Sequence, residues 1–259
     1  MNYLTLKNGK RIAYKFINHT HKDLPLLVFL HEGLGSTKIW KSFPQELSDA
    51  TGLPALLYDR PGYGDSSDID NFADDYLENE AFNVMPEVLS SLNIKSKIIP
   101  FGHSDGGTIA LLYTARYPEN VLCTISESGH VFFEDYCIKG LNELKEKFET
   151  TDLKEKLKRL HKDKTEKLFY NWLGVWLSNR LKDWNIISLI KNIKTPVFII
   201  QGECDEFGTN KQVFDIINNV STIKEYKILK NTGHIPHLSN KNEVVKLSKQ
   251  FIGKFFKLN

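Results

Sequence analysis

Residues 97–107 read Lys97-Ile98-Ile99-Pro100-Phe101-Gly102-His103-Ser104-Asp105-Gly106-Gly107 and run straight into Thr108-Ile109-Ala110-Leu111-Leu112. An apolar run of strand length breaks at a glycine-flanked serine, and a helical pattern follows at once. The spacing predicts a strand over 97–101 and a helix over 106–117, with the G-x-S-x-G arrangement on the sharp turn between them. A turn this tight holds Ser104 in a strained backbone, and side chains at 102 and 106 would collide there, which glycine avoids. The serine oxygen is then expected at the carboxyl end of a sheet, above a helix N-terminus whose dipole favours developing negative charge.

Outward from this stretch the same alternation repeats. Strands are predicted over 26–30, a continuous apolar run, and over 55–58, 121–125, 196–200 and 222–229. Helices are predicted over 40–50, 74–92, near 212–218, and from Lys241 onward. Strands that are apolar throughout are covered on both faces, and their alternation with helices implies right-handed crossovers and a mostly parallel sheet. Ahead of them, strands over 3–7 and 11–16 flank Asn8-Gly9, a hairpin dipeptide. Between 129 and 192 the strands vanish. Leu153, Leu157 and Leu160 fit one helical face, and Leu168, Trp172, Trp176 and Trp184 add bulky apolar surface. The expected organisation is an α/β core over 1–128 and 193–259 with a helical cap over 129–192.

Composition narrows the function. The 259 residues are 41% hydrophobic and 25% charged, ordinary for a globular protein able to bury about 70–75% of its unfolded surface. Lys and Arg total 34 against 32 Asp and Glu, so the formal charge of +2 gives no electrostatic argument for nucleic acid or acidic lipid. Cys123, Cys137 and Cys204 are too scattered for a disulfide framework or a zinc motif. The N-terminal stretch lacks a signal-peptide core, and the longest apolar run, 24–30, is far short of a membrane span. A cytoplasmic, soluble protein is expected.

A serine nucleophile requires a base, and the base an acid. His234, in Asn231-Thr232-Gly233-His234-Ile235-Pro236-His237, follows the last strand on the same sheet edge as Ser104, with His237 its local competitor. Asp205, in Gln201-Gly202-Glu203-Cys204-Asp205, follows the preceding strand. Glu203 and Glu206 crowd it, and Glu127 at the end of its own strand is the alternative acid. A buried carboxylate beside imidazole fixes the tautomer and stabilises the imidazolium. Amide donors for an oxyanion are expected from Asp105 and from the turn His31-Glu32-Gly33-Leu34-Gly35-Ser36, with Leu34 favoured over Gly33. The Asp105 carboxylate is expected to point away from the reacting oxygen. Trp172 and Trp176 are candidate pocket residues; His130 and His161 are expected at solvated loop and helix positions, with entry into the site as the alternative. His31, His103, Asp105, His234 and His237 lack the helical spacing of a zinc site, so no metal is expected.

These residues resemble the α/β-hydrolase superfamily, in its serine-nucleophile branch with a helical cap. The likeness covers nearly the whole chain: 102–107, 31–36, Asp59-Arg60-Pro61-Gly62-Tyr63-Gly64-Asp65-Ser66 (the D-x-x-G-x-G-x-S loop), 202–205 and Gly233-His234. The order Ser104, Asp205, His234 is that of α/β-hydrolases. The resemblance implies an eight-stranded sheet, a Ser-His-acid triad and no cofactor. Ser at 104 speaks against the dehalogenase and epoxide-hydrolase branches, and Glu32 departs from the His-Gly of many relatives. The expected activity is hydrolysis of a small-molecule carboxylic ester or related acyl compound, without nucleic-acid or membrane partners. A thioesterase, carbon–carbon bond hydrolase or acyltransferase would use the same parts. A protein of this fold that binds a ligand without turnover is the competing class.

Overall fold

The continuous apolar run of Leu26–Leu30 is split between two cores. Leu26, Val28 and Leu30 pack into one apolar cluster, whereas Leu27 and Phe29 pack into another on the opposite side. A strand buried on both faces must be hydrophobic at every position. The computed structural model describes residues 1–258. In chain order its elements begin with β1 (Asn2–Thr5), β2 (Arg11–Ile17), β3 (Leu26–Leu30), α1 (Phe43–Thr51) and β4 (Ala55–Tyr58). They continue with α2 (Tyr76–Asn79), α3 (Met85–Ser91), β5 (Ile98–His103), α4 (Asp105–Arg116) and β6 (Thr124–Glu127). Next come α5 (Tyr136–Thr150), α6 (Leu153–His161), α7 (Thr165–Leu177) and α8 (Ile187–Ile190). The chain closes with β7 (Val197–Gly202), α9 (Asn210–Asn219), β8 (Lys224–Leu229), α10 (Pro236–Ser239) and α11 (Lys241–Ile252).

The eight strands form one sheet in the order β1-β2-β4-β3-β5-β6-β7-β8. The β1–β2 and β2–β4 pairings are antiparallel and the rest parallel, so the expected mostly parallel eight-stranded fold is present. Because β3, β5, β6, β7 and β8 run the same way, the turns after them open on one edge, where the chemistry-bearing residues collect. Helices α5 to α8 lie between β6 and β7 in the chain. No helix among the described residues is long and apolar enough to cross a membrane.

One expected element differs in form. The helix expected over 74–92 is α2 and α3 joined by a π-helical turn, Glu80–Val84. Pro86 has no N–H to donate to the Phe82 carbonyl one turn earlier, and its ring crowds that oxygen. The Tyr117 hydroxyl donates to the Phe82 carbonyl instead, at 2.9 Å.

Candidate active site

The turn between β5 and α4 has the strain its glycines imply. Ser104 sits at φ 54°, ψ −119°, a conformation rarely adopted by a residue with a side chain. A Cβ on Gly102 would overlap the Gly106 carbonyl, and one on Gly106 would overlap the Leu30 carbonyl. The Ser104 amide donates to the Glu127 carbonyl at 2.8 Å, and its own carbonyl accepts from Thr108 at 3.1 Å. These contacts hold the turn against its neighbours.

Ser104 and His234 line one cavity of about 230 Å³, with Asp205 directly behind His234. His234 Nδ1 lies 2.8 Å and 2.9 Å from the two Asp205 carboxylate oxygens. A carboxylate only accepts here, so Nδ1 carries the proton and Nε2 is left with its lone pair. Asp205 also accepts from the Phe207 amide at 2.9 Å and the Gln201 side-chain amide at 2.7 Å. Burial alone would raise its pKa, but the His234 imidazole and the Phe207 amide outweigh it and hold the carboxyl at about 2. No hydrogen bond joins Ser104 to His234 among the described residues. In unliganded sites such bonds are commonly long and tighten around substrate.

The runners-up pair with each other instead. Glu127 Oε2 lies 2.5 Å from His237 Nδ1, with both side chains fully buried and the His237 ring packed against Trp40. Glu203 and Glu206 accept backbone amides, from Asn231 at 3.1 Å and His234 at 3.2 Å. His103 donor atoms lie between the pairs: Nε2 bonds the His234 carbonyl at 2.8 Å, and Nδ1 lies 3.8 Å from Glu32. Burial disfavours a charged His103, yet Glu32 and Glu127 prevail and raise its pKa to about 9, while His103 holds Glu32 near 2. Of the five residues considered for a metal, the His103 ring lies 5.0 Å from those of both His234 and His237, and His103 and His237 bring ligand atoms together. With Glu127 their ligand atoms lie within 4.8 Å of one another. The His237–Glu127 hydrogen bond already occupies one donor and one acceptor of that set.

The turn after β3 closes with the Gly35 amide on the Glu32 carbonyl at 3.1 Å, leaving Gly33 and Leu34 at its apex and on the cavity wall. Asp105 lines the same wall. Its carboxylate enters a polar knot not foreseen from the chain. It accepts from the Tyr76 hydroxyl at 2.7 Å and Trp172 Nε1 at 3.2 Å, with Arg60 at 3.5 Å. Arg60 also donates to the Glu32 carbonyl at 2.9 Å. The Asp59-Arg60 pair opening the glycine loop was the only local signal for it. Trp172 and Trp176 both line the cavity, the former against Gly33 and the latter bonded to the Tyr76 hydroxyl at 2.9 Å. His161 is buried outside the cavity, where its Nε2 donates to the Leu34 carbonyl at 2.8 Å and Nδ1 accepts from Gly64 at 3.0 Å. His130 enters the cavity wall.

Sheet order, crossover pattern and the Gly-His-Ser-Asp-Gly turn together define an α/β-hydrolase architecture. The chain belongs to the alpha/beta hydrolase fold family, whose model matches residues 25–186. It is 24% identical over 272 aligned residues to a proline iminopeptidase of Saccharolobus solfataricus, covering 90% of this chain and 86% of that protein. It is 34% identical to the 2-succinyl-6-hydroxy-2,4-cyclohexadiene-1-carboxylate synthase of an Enterobacter species, over 49% of this chain and 44% of that one. Among solved structures, a thermophilic esterase from Thermogutta terrifontis matches with TM-score 0.75 at 15% identity, covering 98% of this chain and 99% of that one. MGS-M2, an α/β hydrolase from a Medee basin deep-sea metagenome library, matches with TM-score 0.75 at 22% identity, covering 100% and 99%.

Proposed function

We propose that the protein is a serine hydrolase that cleaves a carboxylic ester of a small, largely apolar acyl compound. The observation that carries this reading is the Asp205–His234 pair, whose free Nε2 belongs to a residue lining the same cavity as the strained Ser104. Ser104 Oγ attacks the ester carbonyl and passes its proton to His234 Nε2, while Asp205 stabilises the imidazolium. The amides of Leu34 and Asp105 hold the oxyanion. The intermediate collapses as the alcohol leaves with the proton from His234. Water, deprotonated by the same nitrogen, then releases the acid and restores Ser104. Residues 129–192 act as a cap over a core of 1–128 and 193–259. Leu141, Leu144, Leu153 and Leu157 of α5 and α6 line the cavity with hydrocarbon, which favours an aliphatic acyl or alkyl group. Free Cys123, Cys137 and exposed Cys204 support a cytoplasmic setting.

A fluorophosphonate probe and a panel of aliphatic esters test this reading. The folded protein is expected to be labelled at residue 104 and to hydrolyse members of the panel, and Ser104→Ala to lose both. Ester hydrolysis by Ser104→Ala within tenfold of the parent would overturn the assignment, and absence of labelling would favour a ligand-binding role.

A further inference from the structure

Arg60 has no part in the mechanism above, and it is buried behind the catalytic cavity with its guanidinium 4.5 Å from the centroid of the Tyr63 ring. One nitrogen, Nη2, reaches both turns that border Ser104. It donates to the Glu32 carbonyl at 2.9 Å and lies 3.5 Å from Asp105 Oδ2. The first contact holds the turn after β3, whose apex is Gly33 and Leu34, and the second holds the turn from which α4 starts. The Glu32 carbonyl accepts two further bonds, from the Gly35 amide at 3.1 Å and from His31 Nδ1 at 2.8 Å. His31 Nε2 accepts from the Arg60 amide at 3.1 Å, which leaves the ring proton on Nδ1, so residue 60 orients this donor as well. Gly35 and His31 belong to the turn or adjoin it. Arg60 comes from the loop after β4 and ties that turn to the residue after the nucleophile. Stability does not explain the arrangement. A buried ion pair contributes little unless its geometry is close, and at 3.5 Å this one is longer than a charge-assisted hydrogen bond. What the geometry fixes is the spacing of the two turns.

We propose, resting on the ester-hydrolase reading, that Arg60 is a positioning residue: by holding the Glu32 carbonyl and the Asp105 carboxylate on one nitrogen, it sets the distance between the Leu34 and Asp105 amides that receive the oxyanion. Such donors act only within hydrogen-bond distance of the place where charge develops, and loss of one costs about 10²–10³ in kcat. The carbonyl of the bound ester carries little charge, so a displaced amide weakens the transition state far more than it weakens substrate binding. The positive charge of Arg60 is a separate matter. A lysine keeps that charge, but its ammonium ends one bond short of Nη2 and lacks the guanidinium plane that rests on Tyr63. Arg60→Lys therefore separates holding the two turns from supplying a distant cation.

The test sets Arg60→Lys beside the parent protein. Turnover of an aliphatic p-nitrophenyl ester gives kcat, and inhibition by an alkyl boronic acid gives the affinity for a tetrahedral anion on Ser104. In that adduct the boron takes up Ser104 Oγ, His234 takes the serine proton, and an oxygen on boron meets the same two amides. Dissociation constants of the uncleaved ester are measured by calorimetry on Ser104→Ala and on the Ser104→Ala, Arg60→Lys double variant. In Arg60→Lys, kcat is expected to fall about 10²-fold and the boronic acid to bind more weakly by a comparable factor. The ester dissociation constant should change by less than about threefold, since ground-state binding makes little use of these amides. Parent-like affinity for the boronic acid would mean that the amides stay in place without Arg60. Ester binding weakened as much as kcat falls would mark a general distortion of the cavity, and either result overturns the proposal. Should Arg60→Lys fail to fold, Arg60→Met, which keeps apolar packing on Tyr63 and offers no donor, decides on the same three constants. The parent reports separately on the hydrolase reading. Boronic acid binding that is lost in Arg60→Lys, without ester turnover by the parent, keeps the role of Arg60 and rejects the reaction. Turnover that is equally fast in Arg60→Lys keeps the reaction and rejects the role, and a parent that neither turns over esters nor binds the boronic acid rejects both.

Discussion

At position 104 the backbone itself holds a measurable free energy. With φ at 54° and ψ at −119°, any side chain is strained, and only glycine occupies this region freely. Ser104→Gly is therefore expected to be more stable than Ser104→Ala by about 1 kcal/mol, after allowing for the greater freedom of glycine in the unfolded chain. Denaturant titration of the two variants checks it, and equal midpoints would mean that the turn is unstrained. At the acid, the hydrogen bonds around Asp205 leave no room for an amide to substitute. In Asp205→Asn the new NH₂ faces either Nδ1–H of His234 or the donors of Gln201 and Phe207, so the imidazole loses its tautomeric bias. On the proposed mechanism, kcat falls by about 10⁴ while the thermal midpoint moves far less. Glu127→Gln serves as the contrast: its partner is His237, so its effect should fall on stability, and a comparable loss of kcat there would transfer the acid's role to Glu127.

At the scale of elements, Asp105 ties α4 to α7. Its amide begins α4, and its carboxylate gathers Tyr76 from α2, Trp172 from α7 and Arg60 from the loop after β4. Removing the charge leaves Arg60, itself buried, facing a neutral partner, a change that costs about 3–5 kcal/mol where ion pairs are sequestered. Asp105→Asn should thus loosen α7 before it loosens the sheet. Hydrogen exchange is expected to rise first over Thr165–Leu177, and uniform acceleration through β3 and β5 would contradict this link. The knot also marks the boundary of what the chain discloses by itself. The strand–turn–helix around Ser104, the hairpin at Asn8-Gly9 and the two-sided burial of β3 are local patterns, readable because backbone sterics and periodicity act over a few residues. The partners of Asp105 stand at positions 60, 76 and 172, and those of His161 at 34 and 64. No periodicity reports such distant pairs, so His161 reads as a solvated helix position although it is buried. Pro86 was visible in the chain, but whether it would end, kink or widen its helix depended on Tyr117 reaching the freed carbonyl.

Across the whole molecule, Glu32, His103, Glu127 and His237 clamp the end of β5, the end of β6, the turn after β3 and helix α10 through one buried charge cluster. Such a cluster makes stability depend on pH in a defined window. His103 is raised to about 9 from an unfolded value of 6.5, so the stability it contributes is complete below pH 6.5 and is lost as pH rises through 9. Glu32 and Asp205, both depressed to about 2, contribute stability that is present above their unfolded values of 4.5 and 3.8 and is lost as pH falls towards 2. Glu80 acts oppositely: burial raises it to about 7, so the stability favoured by its proton disappears between pH 4.5 and 7. Above pH 7 only the tail of that loss remains, and His103 dominates the slope to pH 9. The thermal midpoint of the parent should therefore fall steadily across that interval. In His103→Gln, whose amide can still donate to the His234 carbonyl, the midpoint should be lower overall yet nearly flat from pH 7 to 9. Parallel declines in the two proteins would show that some other group carries the alkaline loss and that His103 is not charged in the folded chain.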